Sequence, residues 1–171
     1  MYKLRFHVPS SVLFTLYNSL VLPYLSYCIV VWGNSCQTRM DVLFKLPKRA
    51  IRICTNSNYR AHSAPLFRKL RTLNVHDLFL YHTAIIGFQY FQCVLPSSIS
   101  SMFLTNSQIH DHYTRKSNLL HLWKVTTTYS KRSTRYNVPQ VWNSLPNDFR
   151  SYTNLSLFKK KLKVNMYSKY E

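Results

Sequence analysis

Residues Asn74–Val94, NVHDLFLYHTAIIGFQYFQCV, decide the fold class. Leu78, Leu80, Ile85, Ile86, Phe88 and Phe91 fall on nearly every side of a helix of this length, which leaves it no polar face to turn to water. Such a helix belongs in a core with other helices around it. His76 and His82 are then expected as satisfied interior or edge side chains rather than ligands. Charge follows the same division. Eleven Lys and Arg fall in residues 3–71, none between Thr72 and Thr114, and twelve from Arg115 onward. Two basic zones flank one apolar element.

Working outward toward the N-terminus, Ser63 and Pro65 mark a helix start, with Leu66, Phe67 and Leu70 inside and Arg68, Lys69 and Arg71 outside. Upstream of it, Thr38 can cap a helix that runs through Cys54. Its apolar positions Leu43, Leu46, Ala50 and Ile53 cluster on one side, while Lys45, Lys48, Arg49 and Arg52 recur at i, i+3, i+4 and i+7 on the other. Pro47 should kink this helix or mark its true start, because an interior proline costs about 3 kcal/mol. Nearer the N-terminus, Ser10 or Ser11 can cap a helix carrying Val12, Leu13, Leu16, Tyr17 and Leu20, which Pro23 should end or kink. A second apolar segment, Tyr24 to Trp32, stops at Gly33, which can serve as its C-terminal cap.

Toward the C-terminus the pattern weakens from Pro96 to Arg135 into Ser, Thr, Asn and His, with Val125–Tyr129 as a possible short strand. His110 and His112 flank Asp111, but no third ligand sits at helical spacing and no nucleophile is marked, so these residues read as a loop. Pro146 opens a short turn, and a helix follows from about Leu155. Leu155, Phe158 and Leu162 form its apolar side; Lys159, Lys160, Lys161 and Lys163 project elsewhere. The expected fold is therefore mainly α, a small helical bundle with a less regular C-terminal segment. Its expected divisions are a helical region over 1–95, a loop-rich connection over 96–135 and a C-terminal helical segment over 136–171.

Composition excludes several chemistries. The chain carries 23 Lys and Arg against five Asp and Glu, a formal +18, while remaining 46% apolar. A charge of about 2 to 8 would suffice for solubility, so the excess points to a polyanionic partner. Asp41, Asp77, Asp111, Asp148 and Glu171 lie at least 23 residues apart, unlike the neighbouring carboxylates of a polymerase metal site or an acid/base pair. With glycine only at Gly33 and Gly87, Gly-rich phosphate loops are excluded. Cys28, Cys36, Cys54 and Cys93 have no C-x-x-C spacing and read as reduced core residues. The longest apolar stretch, Leu20–Trp32, is 13 residues and contains Pro23, short of the roughly 20 needed to span a bilayer. Lys3 and Arg5 are not followed by a cleavage pattern, so the protein is expected inside the cell, in nucleus or cytoplasm.

Leu16-Tyr17-Asn18-Ser19-Leu20-Val21-Leu22-Pro23-Tyr24-Leu25-Ser26-Tyr27-Cys28, closing on Val31-Trp32-Gly33, resembles the region that follows the palm in reverse transcriptases of jockey-like non-LTR retrotransposons. Further stretches are similar to that family in the same order. They are Arg49-Ala50-Ile51-Arg52-Ile53, Tyr59-Arg60-Ala61-His62, Pro65-Leu66-Phe67, Ile109-His110-Asp111-His112-Tyr113-Thr114-Arg115, Trp142-Asn143-Ser144-Leu145-Pro146 and Phe158-Lys159-Lys160-Lys161-Leu162. The chain departs from the family's pattern at Pro47 and at Val138. The resemblance implies a thumb-like helical region that contacts template-primer duplex, downstream of a palm that holds the catalytic aspartates. It therefore implies a fragment without catalytic, metal-binding or cofactor-binding residues.

The expected function is non-catalytic binding of RNA or DNA duplex backbone, including an RNA–DNA hybrid, with no membrane partner. The candidate contacts are Lys45, Lys48, Arg49, Arg52, Arg60, Arg68, Lys69, Arg71, Arg115, Lys159, Lys160, Lys161 and Lys163. Aromatics such as Tyr17, Tyr24 and Trp32 should serve mainly the core. A basic helical protein-interaction module, or a transposon relic without function, is the alternative.

Overall fold

In the computed structural model, which describes residues 2–110 and 115–170, the chain is mainly helical, with no strand among those residues. The helices are α1 (Ser10–Leu16), α2 (Leu22–Ser26), α3 (Ile29–Trp32), α4 (Gln37–Cys54), α5 (Ala64–Lys69) and α6 (Val75–Phe91). They are followed by α7 (Ser97–Ser100), α8 (Asn106–Ile109), α9 (Thr134–Ser144), α10 (Asn147–Arg150) and α11 (Leu155–Tyr167). Two compact units emerge, one of residues 1–79 with 163–171 and the other of residues 80–162. The long helices α6 and α11 each contribute residues to both.

In the first unit, Leu13, Tyr17, Ile51, Ile53, Cys54, Phe67 and Tyr170 form the core. Burial pushes the Tyr17 phenol, which lies beside Thr72 without a hydrogen bond, up to about 12, and the Cys54 thiol up to about 11. Pro23 does not end the first helix. The chain passes from α1 through a π turn over Tyr17–Val21 straight into α2, the wider turn accommodating a ring whose nitrogen has no hydrogen to donate. The break comes instead after Ser26, where Cys28 adopts a left-handed φ of 48°. α1 itself begins at Ser10 with Pro9 as its cap residue. Gly33 does follow the last turn of α3, but with φ −68°, so left-handed freedom is not its purpose. A Cβ there would lie 2.5 Å from the Ile29 carbonyl oxygen and 2.7 Å from the Phe79 ring.

α4 starts at Gln37 with Cys36 as its cap residue, two residues ahead of the expected cap Thr38, and continues through Pro47. Its core side is Met40, Pro47, Ile51 and Cys54 with Ile53 at the edge, whereas Leu46 of the expected apolar face is 56% exposed. The proline ring is itself the core side chain at that turn. Burying it offsets the missing backbone hydrogen bond. Among the cysteines only Cys54 is buried; Cys28 and Cys93 are exposed, and all four are free thiols.

α6 behaves as its sequence demands, with Val75, Leu78, Phe79, Tyr81, Ala84, Ile85 and Phe88 buried. Asn74 caps it: the side-chain oxygen accepts the Asp77 N–H at 2.9 Å, and the amide donates to the Asp77 carboxylate at 2.7 Å. Tyr170 completes the cap. Its hydroxyl accepts the Asn74 N–H at 3.0 Å and donates to Asp77, and burial raises its pKa.

The second unit packs around aromatic rings. Phe158 stacks on Phe88 with centroids 4.7 Å apart, Trp142 stacks on Phe91 at 5.3 Å, and Trp142 meets Phe158 at 6.1 Å. Gly87 makes room for this, since a Cβ there would be 2.7 Å from Trp142. Trp142 belongs to α9, a helix the polar sequence Thr134–Ser144 conceals and which carries Pro139 inside it. Val138 and Pro139 are fully buried. Val125–Tyr129 forms no strand, the nearest pairing being a single bridge between Thr105 and Leu120. Asp111 and His112 lie outside the described residues.

With so little glycine, helices need another way to stop. α4, α5 and α6 end on Asn56, Arg71 and Cys93, with φ of 51°, 50° and 55°. In each case the next N–H reaches back five residues, Ser57 to Arg52, Thr72 to Phe67 and Val94 to Gln89, the Schellman pattern normally built on glycine. A left-handed L-residue costs about 1–2 kcal/mol. Cys93→Gly is therefore expected to raise stability by about 1 kcal/mol in urea unfolding, after the flexibility of glycine takes back part of the gain.

Candidate nucleic-acid interface

On α4, Lys45, Lys48 and Arg49 are all exposed; Lys45 and Arg49 lie opposite Pro47 and Ile51, while Lys48 flanks them and lines a cavity with Pro47 and Phe67. From Lys45 to Arg52 the helix rises about 10 Å, a length over which duplex presents about six phosphates. Asp41, one turn before Lys45 on the same face and also exposed, gives the stripe an acidic beginning that counting cations alone overlooked. Arg52 differs from its neighbours. It is half-buried, and its Nε donates to the Ala61 carbonyl at 2.8 Å, which makes it the tie between the end of α4 and the following loop.

That loop carries Arg60. The Asn58 side chain accepts the Arg60 N–H at 3.1 Å, a local turn that leaves Tyr59, 72% exposed, and Arg60 at the surface. Thr55 and Ser57 share a hydrogen bond at 2.8 Å just before it. Arg68 and Lys69 project from α5, with Phe67 turned inward, and Arg71 is exposed in its left-handed cap. The Arg71 carbonyl accepts from the Tyr167 hydroxyl, so the backbone beneath that guanidinium is held.

The lysines of α11 do not share one face. With Phe158 and Leu162 fully buried, Lys159 is half-buried at the edge, while Lys160, Lys161 and Lys163 are exposed and fan around the helix by roughly 100° per residue. Lys159, Lys160 and Lys161 belong to the second unit and Lys163 to the first. Arg115 is exposed in the second unit, in a cavity with Lys116 and Arg150 that the charge pattern did not single out. Of the aromatics expected in the core, Tyr17 is buried and Trp32 half-buried, its indole N–H donating to the Tyr27 carbonyl at 2.7 Å; Tyr24 is 83% exposed. Leu20, Tyr27 and Val31 are exposed with it.

Among the described residues no three His, Cys, Asp or Glu side chains converge as a metal site, and no helix is long and apolar enough to cross a membrane. No protein-family model matches the chain, and no curated protein or solved structure matches it.

Proposed function

We propose that this chain binds the phosphate backbone of a nucleic-acid duplex without reading its sequence and without catalysing a reaction. The observation that carries this reading is the solvent-facing row Lys45, Lys48 and Arg49 on one rigid helix. Side chains spaced by one helical turn can follow successive phosphates, and such contacts position a protein without distinguishing bases. Exposed Arg60, Arg68, Lys69 and Arg71 supply further cations within the same unit. The ordered resemblance to the segment downstream of a non-LTR retrotransposon palm supports the wider reading, a non-catalytic part of an RNA-directed DNA polymerase, and selects an RNA–DNA hybrid as the probe.

The test compares the wild type with K45Q/K48Q/R49Q on hybrids of several sequences. Each lost phosphate contact removes about 0.9 from the slope of log affinity against log salt, so the triple variant should flatten that slope by roughly 2.7 and weaken all sequences alike. An unchanged slope, or a loss confined to particular sequences, would count against backbone binding.

A further inference from the structure

The second unit contains a cavity of about 880 Å³ whose wall brings together Arg115, Lys116 and Arg150, with no carboxylate among the described residues that line it. Its size falls within the range of small-molecule sites, about 300–1,000 Å³. Two N–H donors in the wall lack an acceptor. Arg150 is half-buried and donates through Nη2 to the Asn147 side chain, but its Nη1 is buried with no partner. Trp142, 2% exposed, buries its Nε1 in the same condition. Buried donors in folded proteins are matched by protein groups, ordered water or an ion, so these two N–H groups mark room for such a partner. Phe91, 36% exposed, gives the wall an aromatic ring as well.

We propose that this cavity binds a nucleoside monophosphate, its phosphate held by Arg150 with Lys116 and Arg115 and its ring system placed against Phe91. A phosphate monoester carries close to two negative charges and three acceptor oxygens, and cationic side chains in a partly dry wall favour it over neutral ligands. The Nη2 hydrogen bond to the Asn147 side chain holds the Arg150 side chain in the wall. The site is independent of the α4 stripe, which lies in the other unit.

Isothermal titration of the full chain with adenosine 5′-monophosphate at low salt should show saturable binding. Inorganic phosphate should bind at least about tenfold more weakly, and adenosine not at all. Arg150→Met should lose about tenfold or more, the usual consequence of deleting a charged hydrogen bond. Lys116→Gln, at an exposed position that leaves folding intact, should lose a few-fold, whereas K45Q/K48Q/R49Q should bind as the wild type does. Adenosine binding as well as its monophosphate, inorganic phosphate binding as tightly, or a folded Arg150→Met with unchanged affinity would each overturn the proposal. If Arg150→Met fails to fold, Lys116→Gln decides, and wild-type affinity there overturns it. Equal weakening by the α4 variant would reduce the binding to general charge attraction and overturn it too.

Discussion

Phe158→Ala is expected to destabilise the protein by about 3–5 kcal/mol, as removing a fully buried aromatic ring does elsewhere. The ring has no exposed surface and packs on Phe88 at 4.7 Å with an interplanar angle of 24°, and on Trp142 at 6.1 Å. Two features stop the vacated space from closing. Trp142 is already seated on Gly87 and stacked on Phe91, so it has little freedom to move in. The aromatic pairing lost with the ring adds about 0.5–1.5 kcal/mol to the loss of burial. Because domains are stable by only about 5–15 kcal/mol, urea unfolding should show a large drop in midpoint. Truncation of the half-exposed neighbour Leu157 provides the comparison. Equal effects at the two positions would mean that Phe158 is not the centre of that core.

The second large effect concerns salt. If about 6 to 10 phosphates are engaged, affinity for an RNA–DNA hybrid should fall by about 10³ to 10⁵ between 50 and 200 mM salt. Lys45, Lys48 and Arg49 alone cannot supply that number. With Arg60, Arg68, Lys69 and Arg71 the first unit offers seven exposed candidate cations ahead of α11, which reaches it. The measurement is a filter-binding or anisotropy titration at several salt concentrations. A response shallower than that of about three contacts would confine the interface to the α4 stripe, and a flat response or no binding at low salt would remove nucleic acid as the partner.

Much of this was legible in the sequence, for identifiable reasons. α6 admits only one reading because it has no polar side, and α5 and α11 follow from apolar positions at helical spacing. Lys45, Lys48 and Arg49 on α4 are exposed because charge resists burial, so that row is readable from the sequence. The core face of α4 differs from the expected Leu43, Leu46, Ala50 and Ile53 because Pro47, a helix breaker by propensity, packs inward as an apolar side chain. Counting it as an apolar side chain moves the inward face to Met40, Pro47, Ile51 and Cys54. α9 escaped for a related reason: Pro139 and the polar residues around it hide a helix that Trp142, Val138 and Pro139 anchor by burial. Arg52 and the cavity around Arg150 were beyond reach. Both depend on partners brought close by folding, Ala61 in one case and Asn147 with Trp142 in the other. A one-dimensional charge map cannot show that a basic residue is spoken for, nor that an N–H has been left without an acceptor.

The left-handed cysteines have a practical consequence. Cys28 lies in the first unit and Cys93 in the second, both exposed, while the Cys54 thiol is buried. Once the half-exposed Cys36 is replaced by Ser, a maleimide dye pair attached under mild conditions would label one reporter per unit. Energy transfer between the two dyes then becomes a ruler, read with and without nucleic acid, for whether the units keep a fixed separation when a ligand arrives.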